Sequence, residues 1–533
     1  STDAADPNKN DRLNNMDGRF VPTVRKVPKY DSTGIQGQDQ SKELVFNDGD
    51  PAKTPVTPDA SRPATFVDAN GQPVTGNTVP AMSNGQQVGT YELDPNTGQV
   101  TFKPNKTFVG TPDPVAVQVS DTNGVPHRAR YQPTVTKVTP TSTDATSNGL
   151  QGQAQTGTPV FTPGDDAVPI DLDSPMTFED GQPTKTVQGV GVYAINPDGS
   201  ITFTPEKQYV GTPAPVTVKR VDKNGTEVTA TYTPTVTKVT PTSTNAESTG
   251  VQGQPQKGTP VFTPGDPVVP IDLDSPMTFD DGKTTKSVPG VGEYSINPDG
   301  SISFTPDKQY SGTPDPVTVK RVDKNGTEVT ATYTPTVTKV TPTSTNAEST
   351  GVQGQPQKGT PTFTEGDPLV PLDDTKPMTF DDGSSTKTVP NVGVYTINPD
   401  GSITFTPDKQ YVGTPDPVTV KRVDKNGTEV TATYTPTVTK VTPTSTDASS
   451  EGIQGQPQTG SPVFTPGDKA VPIDLDSPMT FEDGQPTKTV PGVGVYTINP
   501  DGSITFTPDK QYVGTPAPVT VKRVDKNGTE VTA

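Results

Sequence analysis

The tetrapeptide Asp-Lys-Asn-Gly begins at Asp222, Asp323, Asp424 and Asp525, and a variant, Asp-Thr-Asn-Gly, begins at Asp121, so the same turn returns every 101 residues. A second marker, Gly-(Ile/Leu/Val)-Gln-Gly, begins at Gly34, Gly149, Gly250, Gly351 and Gly452, at steps of 115, 101, 101 and 101. A fixed period in a chain of 533 residues indicates repeated small domains, because a single core stops growing well below that length. The period divides the chain into 1–29, a linker carrying the terminal strand of a preceding module, a divergent repeat 1 at 30–138, repeats 2 to 4 at 139–239, 240–340 and 341–441, and repeat 5 at 442–533, which lacks its last strand. The 14 extra residues of repeat 1 fall mainly between 62 and 87, before its first hairpin, where a longer loop costs little. Residues 1–19 are polar and are expected to be flexible, whereas 20–27, FVPTVRKV, match 232–239, YTPTVTKV, the end of a repeat.

Within one period, residues 293–340 read as two β-hairpins. In the first, a two-residue Asp-Gly loop would pair Ile296 with Ser303 and turn half the apolar set to solvent. A three-residue loop, Pro298-Asp299-Gly300, instead pairs Ile296 with Ile302 and Tyr294 with Phe304, with Gly300 supplying a left-handed bulge residue. The same logic in the second hairpin takes Lys324-Asn325-Gly326 as the loop and sets Val317, Val319 and Arg321 against Tyr333, Ala331 and Val329. Repeat 1 keeps the faces despite one extra loop residue, with Leu93 opposite Val100 and Tyr91 opposite Phe102.

Ahead of the hairpins, strands are expected around 259–263, 268–273 and 284–288, with a loop through Asp280-Asp281-Gly282. Six or seven short strands per hundred residues, and no 3.6-residue apolar period, predict an all-β protein of five tandem Ig-like or cadherin-like β-sandwich modules in an elongated array. Residues 139–148, 240–249, 341–350 and 442–451 are rich in Thr, Ser and Pro and read as extended, semi-rigid joints. A seven- or eight-residue strand of roughly 25 Å plus an extended joint of about 20–30 Å gives an advance of about 45–55 Å per repeat.

Hydrophobic residues are only 27 % of the chain, and 63 Pro with 50 Gly approach the range of low-complexity sequence. The regular alternation in the hairpins argues against disorder. A net charge of −19 disfavours nucleic acid as a partner. The absence of cysteine excludes disulfides, thiolate chemistry and Cys-based zinc sites. No apolar run is long enough to insert into a membrane, and the start at Ser1 without a signal-like stretch suggests a mature or excised piece.

Residues 394–438, with their Phe-Thr-Pro, Tyr-x-Gly-Thr-Pro and Asp-Lys-Asn-Gly elements, resemble the CshA-type fibril repeat of Gram-positive, chiefly streptococcal, surface adhesins, and the resemblance extends over all five units. It implies β-sandwich modules strung into a fibril on the bacterial cell surface. It also implies a separate tip that engages host extracellular-matrix protein such as fibronectin, and a wall-sorting signal, both outside this chain. The part inherited here is the stalk, whose partners are neighbouring repeats in the same chain. The alternative is that the repeats themselves adhere to matrix protein, glycan or each other.

Candidate chemistry is sparse. His127 is the one histidine and has no counterpart in the other repeats, which speaks against a catalytic centre. Asp171, Asp173, Glu179 and Asp180, with equivalents Asp272, Asp274, Asp280 and Asp281, are the best calcium candidates, yet Asp-x-Asp flanked by apolar residues reads more simply as the solvent side of a strand. Lys320 and Arg321 with Lys324 form either a docking patch or, more simply, charges that guard an edge strand. No Lys, Asn and acid set stands out for an isopeptide crosslink. No catalytic, metal or cofactor site is therefore expected.

Overall fold

The computed structural model describes residues 19–533. These fall into two compact units: one runs up to Pro241 and includes Thr263–Asp272 and Val322–Glu328, and the other comprises Thr242–Phe262, Leu273–Arg321 and Val329–Ala533. The described residues form strands joined by turns and irregular loops, and no helix occurs among them. Most of the residues expected to be flexible, 1–18, lie outside the described part.

Repeat 2 shows the architecture. One sheet runs in the order Ala145–Leu150, Glu227–Thr237, Val216–Val221, Thr177–Phe178, and the other in the order Gln155–Gly157, Ile201–Pro205, Gly191–Ile195, Thr184–Val187. A small ribbon, Thr141–Thr143 with Val160–Thr162, completes the repeat. The two sheets meet through aromatic rings: Tyr193 lies 4.6 Å from Phe203 on its own sheet and packs edge-on to Tyr232 of the other at 6.0 Å. Such pairs add to the burial of the rings themselves. Corresponding clusters, each of buried residues from one repeat, recur through repeat 5.

Both hairpin registers stand as the sequence requires. Tyr294 pairs with Phe304 and Ile296 with Ile302, and Gly300 takes φ 87° at the end of the loop. In repeat 2, Val216, Val218 and Arg220 face Tyr232, Ala230 and Val228. In repeat 1, Tyr91 faces Phe102 and Leu93 faces Val100.

Three expectations are corrected. The Thr-rich segments are not joints but parts of the fold: Ala145–Leu150 pairs in parallel with the second half of Glu227–Thr237, and Ala246–Val251 with that of Glu328–Thr338. A polar relay pins this parallel strand, Tyr333 donating to Ser248 (2.5 Å), Ser248 to Gln256 (2.6 Å) and Gln256 to the Thr336 carbonyl (3.1 Å). With it, repeats 2 to 4 carry ten strands each, more than the six or seven expected. Second, 268–273 forms no strand, only isolated bridges such as Ile271 to Asp323, because Pro267 and Pro270 remove two donors. Third, 20–27 forms no strand and its Phe20 is exposed, whereas the equivalent residues 232–237 pair with Ala145–Leu150. In repeat 5, 448–453 is likewise without a strand, its long partner being present only as Glu530–Thr532.

Candidate functional site: the joints between repeats

The two period markers meet. In the Asp-Lys-Asn-Gly turn, the Asp323 side chain accepts from the backbone N–H groups of Asn325 and Thr327, both at 2.9 Å, and Gly326 donates to the Asp323 carbonyl at 2.8 Å with φ 83°. This Asx turn points the Asn325 side chain into repeat 2, where Nδ2 donates to the Gln151 carbonyl at 2.9 Å. Asn224 does the same to Gln36 at 3.0 Å, Asn426 to Gln252 at 2.8 Å and Asn527 to Gln353 at 2.8 Å. The first two joints belong to the first compact unit and the last two to the second. The turn of repeat 3 that carries Asn325 lies in the same compact unit as repeat 2.

The receiving side is built by the buried glutamine of Gly-x-Gln-Gly. Gln151 Oε1 accepts from Val239 N–H at 3.1 Å and its Nε2 donates to the Lys207 carbonyl at 3.0 Å, which leaves the Gln151 main-chain carbonyl to the incoming asparagine. The glycine after it, Gly152, has φ 78°, and a Cβ there would fall on Asn325 Oδ1; Gly37, Gly253 and Gly354 stand in the same relation to Asn224, Asn426 and Asn527. Further bonds cross each joint. Gln208 donates to the Asn325 carbonyl, and Gln38 and Gln254 donate to the Ala167 and Leu369 carbonyls at 3.1 Å. The joint asparagines are only 4–6 % exposed. Val138 and Val340, whose N–H groups donate to the receiving glutamines Gln36 and Gln252, and Val168 and Val370, which follow the acceptors Ala167 and Leu369, are buried although they belong to no repeat's own core cluster. Burying each valine is worth about 1.5–3 kcal/mol. Asp222, Asp323, Asp424 and Asp525 keep a second carboxylate oxygen buried without a hydrogen-bond partner.

The residues singled out from sequence are dispersed. Asp171 and Asp173 sit in a turn, not on a strand face, and both face Lys223, at 3.1 and 3.6 Å. Lys223 holds the Asp171 carboxyl below its ordinary range. Asp180 and Asp281 accept from the N–H groups of Gln182 and Lys283 in their own turns, Glu179 is exposed beside Asp180, Asp280 pairs with Lys286 at 3.4 Å and Asp272 with Lys324 at 3.1 Å. No cluster able to hold a metal, Asp274 included, occurs among the described residues. The strand carrying Lys320 and Arg321 is not an edge, since it lies between Glu328–Thr338 and Thr278–Phe279, and Arg321 buries its Nε. The edge-guard reading therefore does not hold for Lys320 and Arg321. His127 is clasped between Asp48, at 2.9 Å, and Asp121, at 3.1 Å.

The joint itself was not foreseen. Its signal was present, since both markers keep their spacing through the chain, but each reads as turn chemistry until the fold shows that one turn inserts into the other.

The family described as the surface adhesin CshA repetitive domain matches residues 22–135, 137–236, 238–337, 339–438 and 440–533. No curated protein matches the chain. Among solved structures, the chain is similar to Sidekick-1 immunoglobulin domains 1–5, at 12 % identity over 96 % of this chain and 97 % of that one, TM-score 0.20. It is also similar to protocadherin gamma B7 extracellular cadherin domains 1–4, at 11 % identity over 77 % and 100 %, TM-score 0.29. A tetra-tandem repeat in the extending region of a large adhesion protein gives 16 % identity over 71 % and 91 %, TM-score 0.21. Nothing about function follows from likenesses of this size.

Proposed function

The chain belongs to the surface adhesin CshA repetitive-domain family, and on that premise we propose that its five repeats act as a load-bearing spacer, the stalk of a wall-anchored fibrillar adhesin. Membership makes it an adhesion-related, extracellular repeat region. The stalk role, the anchoring to the wall, a matrix-binding tip beyond this chain and the module limits 30–138, 139–239, 240–340, 341–441 and 442–533 are our reading. No catalytic step forms part of it.

The observation that carries the reading is the parallel pairing of a strand near the start of a repeat with the strand that ends it. In repeat 2 these are Ala145–Leu150 and the end of Glu227–Thr237, in register from Ala145–Tyr232 to Leu150–Thr237. Tension on the two ends slides parallel strands past one another, so the hydrogen bonds between them share the load at once instead of breaking in turn. A hairpin pulled at its two ends would unzip bond by bond. Repeats 1, 3 and 4 have the same arrangement.

Single-molecule pulling of the full chain tests this. We expect discrete unfolding events, each releasing on the order of 30–36 nm, the contour of a hundred residues at about 3.6 Å each. Featureless extension at low force would sink the spacer role. Saturable binding of the chain to matrix proteins, glycans or itself would favour adhesive repeats.

A further inference from the structure

Each joint asparagine is followed by glycine: Asn224-Gly225, Asn325-Gly326, Asn426-Gly427 and Asn527-Gly528. Asn-Gly is the dipeptide in which side-chain amide is most readily converted to acid, because glycine has no Cβ to hinder its own nitrogen from reaching the asparagine Cγ. We propose that these four asparagines are conditional deamidation sites, protected while the joint is closed and converted to aspartate or isoaspartate once it opens, after which the joint no longer closes.

The step needs only water. The glycine N–H gives its proton to solvent base, the nitrogen bonds to Cγ, and the Cγ–Nδ2 bond breaks as ammonia leaves with a proton from water. The cyclic imide then takes up one water and opens to the acid. One water is consumed, one ammonia is released, and nothing is oxidised or reduced.

The chain contains its own control. Asp121-Thr122-Asn123-Gly124 forms the same turn, with Asn123 and Val125 donating to the Asp121 side chain at 2.8 and 3.0 Å and Gly124 to its carbonyl at 2.9 Å. Its asparagine is exposed, whereas those of the joints are buried and donate Nδ2 to a glutamine carbonyl. The backbone is matched, so burial in the joint is the difference, and attack at the four sites must wait for local opening. After conversion, a carboxylate stands where the donor stood. It cannot bond the glutamine carbonyl, and its charge is costly to bury there.

The test is peptide-resolved mass spectrometry of the full chain, incubated in mildly alkaline buffer with and without denaturant. In the folded chain Asn123 should convert at least about tenfold faster than any joint asparagine, and in denaturant all five should convert at similar rates. Gly253→Ala, whose new Cβ falls on Asn426 Oδ1, should release Asn426 to the rate of Asn123 while Asn325 and Asn527 stay protected, which also shows that the variant has folded. Joint asparagines converting as fast as Asn123 in the folded wild-type chain, or an unchanged Asn426 rate in the variant, would overturn the proposal. It depends on the joint's geometry and not on the spacer role, so a chain that extends without unfolding events leaves it standing.

Discussion

The two tyrosines that meet edge-on across the cores of repeats 2 to 4 are not equivalent, and the difference lies in a single oxygen. The Tyr294 hydroxyl is buried with no hydrogen-bond partner, as are those of Tyr193 and Tyr395, whereas the Tyr333 hydroxyl feeds the Ser248 relay. Burial pushes the Tyr193 phenol up to about 12, so none of these hydroxyls gains by ionising. Tyr294→Phe removes an unsatisfied group and keeps the ring, so repeat 3 should be unchanged or more stable. Tyr333→Phe breaks the relay and should cost about 0.5–1.5 kcal/mol, and urea denaturation of the two variants separates the outcomes. Repeat 1 has its own residue-level feature in acid. Burial pushes the Asp48 carboxyl up, but hydrogen bonding with His127 and Lys53 outweighs this and holds it below its ordinary range; Ser61 and Arg62 hold Asp59 down to about 2. Carboxyls lowered by folding contribute stability that is complete above their unfolded value, roughly 4, and is lost as pH falls through the folded value. Digestion by an acid protease should therefore open sites in residues 30–138 progressively from about pH 4 down to about 2. Uniform cleavage across that window would contradict it.

At the level of elements, the hairpins were legible because alternation fixes both face and register, and only one loop length satisfied the apolar set. Deleting Asp299 tests that logic. The shortened loop would slip the register and turn Tyr294 or Phe304 outward, at a cost of about 3–5 kcal/mol for an aromatic lost from the core. Gly300→Ala, at φ 87°, keeps the register and should cost only about 1–2 kcal/mol. Equal destabilisation in thermal melts would show that register is not what the loop controls. The parallel strand was illegible for a physical reason. Ala246–Val251, AESTGV, has almost no apolar alternation, and it is held by backbone pairing and by Ser248 reaching Tyr333, a residue 85 positions away. Composition reads such a stretch as a linker because nothing local marks it as a strand. The acidic Asp171 and Asp173 were misplaced onto a strand for the opposite reason, since their local alternation is real but Pro169 just before them lacks the donor that pairing needs.

For the whole molecule, the folding of the Thr-rich segments into the sheets changes the expected length of a spacer. Without ten extended residues between modules, the advance per repeat falls from about 45–55 Å toward the length of its longest strand, 11 residues, or roughly 36 Å at 3.3 Å per residue. Under the proposed spacer role, five such steps placed end to end would reach about 180 Å. A single globule of this chain length would have a radius of gyration near 24 Å, whereas a spacer of that reach should show about twice as much in small-angle scattering. Within each compact unit the joints tie neighbouring repeats together. Each relies on one buried asparagine, a glutamine carbonyl and a glycine with no room for a side chain, so replacing Gly37, Gly152, Gly253 and Gly354 together by alanine should leave the repeat cores folded while freeing neighbours to reorient. Scattering from that variant should then show a smaller mean radius and a broader distance distribution at unchanged strand content by circular dichroism. An identical scattering curve would mean that the latches play no part in holding the repeats in line, and the load-bearing spacer would have to rest on the shear geometry within repeats alone.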